Sequence, residues 1–130
     1  VGKILNNKIK NKKICFLGVT FKANTDDMRD SSSLEMIPHL SKHGAKITYH
    51  DPTGFKKEFK KIKNLIFLNS INEAVKDADL VILHTEWNDF KSINFKKLSP
   101  SKKLKIYDLR NILSPNKIES QGFKYFAIGR

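Results

Sequence analysis

The stretch KICFLGVTFKANTDDMRDSSSLEMIPHLSKHGAKITYHDP, residues 13–52, decides the fold. It opens with KICFL (13–17), an apolar, β-rich run that reads as a buried strand. It closes with KITYH (46–50), a second such run, ended by Asp51-Pro52. Between them, residues 32–43 put Leu34, Ile37 and Leu40 on one helical face, with Met36 beside them. Ser32 and Glu35 have capping-box spacing at the start of that helix, and Gly44 can end it. The unit is therefore strand, long polar loop, helix, strand.

The same alternation continues outward. LIFL (65–68), LVILHT (80–85), LKIYD (104–108) and KYFAI (124–128) read as four more strands. INEAVKDA (71–78) predicts a short helix with Ile71, Ala74, Val75 and Ala78 inward and Asn69 or Ser70 as cap. FKKLS (95–99) allows at most a turn of helix before Pro100, and 115–121 begins with proline and stops before Gly122. GFKKEFKKI (54–62) is open between a basic helix and a loop. Near-continuous apolar strands imply a parallel sheet covered on both faces. The expectation is a three-layer α/β/α domain with a mostly parallel six-stranded sheet in the order 3-2-1-4-5-6.

In such sheets ligands bind outside the carboxyl ends of the strands, near the point where the order reverses. The loop after strand 1 leaves that point, and at about a dozen residues it is longer than the ~2–6 usual for such connections. It carries Lys22 and Arg29 and leads into a helix start, where N–H groups and the helix dipole favour an anion. Strand 4 ends in HTEW and strand 5 in YDLRN, so Arg110 is expected at the same edge. Two cations and a helix start on one loop suit a phosphate or diphosphate. From spacing alone other roles stay open: Arg29 could pair with Asp26, Asp27 or Asp30, and Arg110 with Asp108. Phe21 could be core, and Trp87 reads as packing.

Charge and composition narrow the classes. The net charge is +12, from 25 basic and 13 acidic residues, but only Arg29, Arg110 and Arg130 are arginines. The lysines are scattered through every segment, which reads as a solvated surface rather than a nucleic-acid interface. No apolar run approaches the ~18 residues of a membrane helix. Cys15, the one cysteine, sits inside a strand as a small buried hydrophobe and suits a reducing compartment. His39, His43, His50 and His84 lack metal-ligand spacing. No G-x-G-x-x-G or Walker loop follows a strand, so a complete dinucleotide site of the usual kind is not expected.

LGVTFKANTDDMRDSSS, GAKITYHDP, DADLVILHTEW, IYDLRN and GFKYFAIGR, in this order, resemble the C-terminal domain of the UDP-glucose/GDP-mannose dehydrogenase family. The run FKANTDDMRDSSSLEMIPHL is most similar to bacterial members acting on UDP-glucose. The resemblance implies a Rossmann-like, UDP-sugar-binding C-terminal domain over 13–130. Residues 1–12 would be the end of a connecting segment from a central helical domain, and the chain a fragment of a longer protein. The family oxidises the sugar C6 alcohol to a carboxylate with two successive NAD molecules. NAD would be held mainly by an N-terminal domain, and the full-length protein would be a cytoplasmic homodimer serving polysaccharide biosynthesis. Carried over by position, Phe21, Lys22 and Arg110 would contact the UDP-sugar, and Arg29 would reach NAD across the cleft. The catalytic residues would lie outside this chain, leaving it inactive alone. GDP-mannose or UDP-N-acetylhexosamine dehydrogenases, or a non-catalytic nucleotide-binding module, are the alternatives. Neither nucleic acid nor membrane is expected as a partner.

Overall fold

A computed structural model of the protein describes residues 8–20, 22–98 and 104–127. The strands are β1 (Lys13–Leu17), β2 (Lys46–His50), β3 (Leu65–Phe67), β4 (Leu80–Leu83), β5 (Lys105–Asp108) and β6 (Lys124–Ala127). The helices are α1 (Ser33–Lys42), α2 (Ile71–Val75), α3 (Phe95–Leu98) and α4 (Pro115–Ser120). All strand pairs are parallel and the order is β3-β2-β1-β4-β5-β6, as the alternation predicts.

Two apolar clusters explain why the central strands do not alternate. Ile14 and Phe16 of β1 and Leu80 and Ile82 of β4 face α1, where Ile37 and Leu40 meet them. Cys15, Leu17, Val81 and Leu83 point the other way, against Ala74 and Val75 of α2, Phe95 of α3 and Ile118 of α4. Each residue of β4 is buried because each has a partner layer. Leu34 and Met36 flank the α1 face half-buried, and Trp87 packs with Phe90 and Phe95. These contacts define three layers with the sheet in the middle.

Several local expectations differ from what is observed. The 71–78 helix stops at Val75, because Asp77 takes a left-handed conformation (φ 59°) that turns the chain into β4. Ser70 is its cap: the hydroxyl accepts the Glu73 N–H and donates to the Glu73 carboxylate, so the cap bond forms and the glutamate closes on the serine side chain. The equivalent pair at α1 does not form. Ser32 is itself in a right-handed helical conformation and makes no side-chain cap bond; its hydroxyl goes elsewhere. Segment 54–62 is a loop with one 3-10 turn, Lys57–Phe59, in which Phe59 is buried edge-on against Tyr49 at 5.4 Å. β4 ends two residues early, before His84 and Thr85. Val1–Asn7, Phe21 and Ile128 lie outside the described residues.

Candidate functional site

The carboxyl ends of the strands are built around two buried carboxylates. Asp51, just after β2, accepts the Val19 N–H on one oxygen and the Thr53 N–H on the other, each at 2.9 Å. Asp108, the last residue of β5, accepts the N–H groups of Arg110 (3.1 Å) and Leu113 (2.9 Å) and the Tyr125 hydroxyl (2.8 Å). Each fixes the loop that leaves its strand. Between them, Gly18 (φ 81°) brings the end of β1 against Thr85: a Cβ there would lie 2.5 Å from the Thr85 Cβ.

The polar groups at the exit of the 18–32 loop bind back onto its entry. Ser31 and Ser33 are buried, and both hydroxyls donate to the Val19 carbonyl at 2.6 Å. Met28 anchors the middle of the loop in the α1-side core. Lys22 is exposed, two residues after Thr20, whose carbonyl accepts the Thr85 hydroxyl at 2.9 Å. Arg110 follows β5 and donates through Nε to the His84 carbonyl at 3.0 Å. The Lys22 loop and Arg110 are therefore both tied to residues 84–85 at the end of β4, so the structure brings these two predicted residues to one edge. Phe21 lies outside the described residues.

Arg29 is on the same loop, with its side chain 88% exposed, and it is paired. Its Nε and Nη2 donate to the Asp27 carboxylate, the latter at 3.0 Å, and its N–H caps the same group. The hydrogen bonds from Arg29 hold the Asp27 carboxyl below its ordinary range, and the Lys22 charge adds to the effect. The pair is solvated, so it is weak and can reopen. An open pocket of about 350 Å³ beside Arg29 is lined by Asp26, Asp27 and Glu58, three carboxylates that disfavour an anion there.

The helix start behaves differently from its expectation. The N–H of Ser33 donates to the Ser31 hydroxyl, that of Leu34 to the Ser31 carbonyl and those of Glu35 and Met36 to the Ser32 carbonyl. These donors are engaged within the chain. Sequence reasoning also missed His84. It is 1% exposed, and burial, followed by the nearby Arg110 charge, pushes its imidazole down to about 4, with Asp51 opposing. The sequence showed only a histidine near the end of the strand 4 run, without metal-ligand spacing.

A family model described as the UDP-glucose/GDP-mannose dehydrogenase family, UDP binding domain, matches residues 15–115. The chain belongs to this family. The UDP-glucose 6-dehydrogenase of Rhizobium meliloti (strain 1021) is 40% identical over 123 residues, 94% of this chain and 28% of that protein. The UDP-glucose 6-dehydrogenase of Rickettsia bellii is 36% identical over 132 residues, 99% of this chain and 30% of that protein. Among solved structures, the NDP-N-acetyl-D-galactosaminuronic acid dehydrogenase of Methanosarcina mazei superposes with a TM-score of 0.82 at 26% identity. The match covers 99% of this chain and 27% of that one. The chain thus spans under a third of the length of the relatives it matches.

The family name raises the question of a dinucleotide. Its diphosphate ordinarily lies on a glycine-rich turn against the N–H groups of the first helix. Here Thr85 packs against Gly18, and serine side chains and carbonyls occupy the donors of α1. The residues described do not fit a dinucleotide site between β1 and α1. Among them, no helix is long and apolar enough to cross a membrane.

Proposed function

We propose that this chain is the nucleotide-sugar-binding domain of an NAD-dependent 6-dehydrogenase, with UDP-glucose as substrate and UDP-glucuronate as product. The observation that carries the reading is the tethering of the Lys22 loop and of Arg110 to the same two residues at the end of β4. Two cations from distant parts of the chain then flank one rim, as a diphosphate requires. Lys22 supplies a point charge to the phosphates, and Arg110 supplies a directional guanidinium. Phe21 takes its place beside the nucleotide on family resemblance.

NAD is held by a part of the protein outside this domain, since the β1–α1 turn is filled by its own side chains. Arg29 reaches toward that cofactor after releasing Asp27. Its exposure makes the exchange inexpensive, because one solvated ion pair replaces another. The catalytic groups lie outside the chain, which is inactive alone. The complete protein is a cytoplasmic homodimer whose product serves polysaccharide synthesis.

Calorimetry with UDP on wild type and Lys22→Ala tests the reading. The expected result is saturable binding that weakens by about ten- to a hundredfold in the variant, the range for a lost charged hydrogen bond. Wild type that does not bind UDP, either as this chain or in the complete protein, overturns it. Activity of the complete protein on GDP-mannose but not UDP-glucose would overturn the substrate assignment.

A further inference from the structure

His84 touches every element that carries a described candidate ligand residue. Its Nε2 lies 2.8 Å from the Ser32 hydroxyl at the exit of the 18–32 loop. Its Nδ1 lies 3.1 Å from the Thr85 hydroxyl, which holds the Thr20 carbonyl at the loop's entry. Its own carbonyl takes the Arg110 Nε–H. Loop entry, loop exit and Arg110 thus converge on one buried residue.

The protons of this network can be assigned. Thr85 has one hydroxyl proton, and the Thr20 carbonyl can only accept, so that proton goes to Thr20. The Thr85 oxygen must then accept from Nδ1–H. Nε2 is left bare, and Ser32 donates to it. The relay runs in one direction, Ser32 to His84 to Thr85 to Thr20. It requires a neutral imidazole in a single tautomer, an assignment made from the hydrogen-bond network. The same relay accounts for the unformed capping box at α1: the Ser32 hydroxyl is used across the sheet edge.

Resting on the nucleotide-binding reading above, we infer that His84, as the Nδ1–H tautomer, is a positioning residue. It closes the loop bearing Lys22 and Arg29 at both ends and sets Arg110 beside it, so that the cations meet an anionic nucleotide already arranged. Met28 fixes the middle of the loop, and Ser31 and Ser33 tie its exit to Val19 at its entry; His84 fixes where the loop stands relative to Arg110.

Ser32→Ala and His84→Asn remove the same bond from opposite ends. Asparagine retains an amide N–H near Nδ1 but does not reach Ser32. Each variant should bind UDP about tenfold more weakly, the equivalent of one lost hydrogen bond, and the double variant should bind no worse than either. Ser32→Thr, which keeps the hydroxyl, should recover most of the affinity. Without ligand, amides of residues 22–31 should exchange faster in Ser32→Ala while those of β1 and β4 stay protected. Nitrogen-15 spectra at pH 7 should show His84 protonated at Nδ1 only. Lys22→Ala should lose affinity with loop exchange unchanged, which separates ligand contact from positioning. The inference is overturned if Ser32→Ala leaves loop exchange as in wild type, or if His84 carries its proton on Nε2. If wild type does not bind UDP, the proposed function falls, and exchange and tautomer still decide the role of His84.

Discussion

Lowering the pH should destabilise the chain through His84 in a defined window. Its imidazole, ordinarily near 6.5, is pushed down to about 4 by burial and then by the Arg110 charge. Above pH 6.5 it is neutral in both folded and unfolded chains and contributes no pH dependence. Between 6.5 and about 4 the unfolded chain takes up a proton that the folded chain refuses, so stability falls as pH falls. Below about 4 both forms are protonated and the loss is complete. A difference of that size corresponds to roughly 3 kcal/mol, a large share of the ~5–15 kcal/mol typical of a domain. Urea unfolding from pH 7.5 to 4.5, followed by the fluorescence of Trp87, the one tryptophan, measures it. Other groups titrate over the same range, so the decisive quantity is wild type minus His84→Asn. That difference should shift against wild type by ~2–3 kcal/mol across the window. Parallel pH curves for the two proteins would refute the assignment of a neutral, buried His84.

Three further outcomes test other parts of the edge. Gly18→Ala would force a Cβ to 2.7 Å from the Thr85 hydroxyl oxygen at φ 81°, and should cost ~3 kcal/mol or more, read as a large drop in melting temperature; wild-type stability would contradict the packing. Asp108→Asn keeps the volume but presents an N–H to a site that serves three donors, and should cost ~2–3 kcal/mol in urea unfolding while weakening UDP binding through Arg110. Cys15 is fully buried and its thiol is pushed up to about 12 by burial, so alkylation at pH 8 should be absent in the native chain and track unfolding in urea; rapid native labelling would contradict this.

The sheet was legible because its signal is local and redundant. β4, and β1 beyond its exposed Lys13, are buried on both faces, so those positions are apolar, and right-handed crossovers leave few orders for such strands. The edge holding Arg110 and the Lys22 loop was legible for a related reason: parallel strands all end on one side, so residues following strands 1, 4 and 5 must meet there. What escaped reading was the choice each polar side chain makes among competing partners. Ser32 and Glu35 have capping-box spacing, yet the partner that takes the Ser32 hydroxyl is 52 residues away, across an edge that exists only after folding. Ser70 and Glu73 have the same spacing, and there the serine does cap the helix. Arg29 had three acidic neighbours within reach; Asp27 takes it because that carboxylate already caps the Arg29 N–H.

These choices bear on recognition, because they remove one source of positive potential and leave another. Had the early N–H groups stayed open, the helix end would have been the natural anion site, with the lysine secondary. Instead Ser31, Ser32 and Ser33 turn inward toward Val19 and His84, and the helix donors close on serine oxygens. The helix start becomes an anchor for the loop, and under the proposed function the side chains of Lys22 and Arg110 meet the anion. A site of that kind depends on loop geometry, so its affinity should respond to Ser32→Ala, which touches no ligand. A site built on the helix dipole would not respond, and that contrast makes Ser32, rather than either cation, the discriminating position.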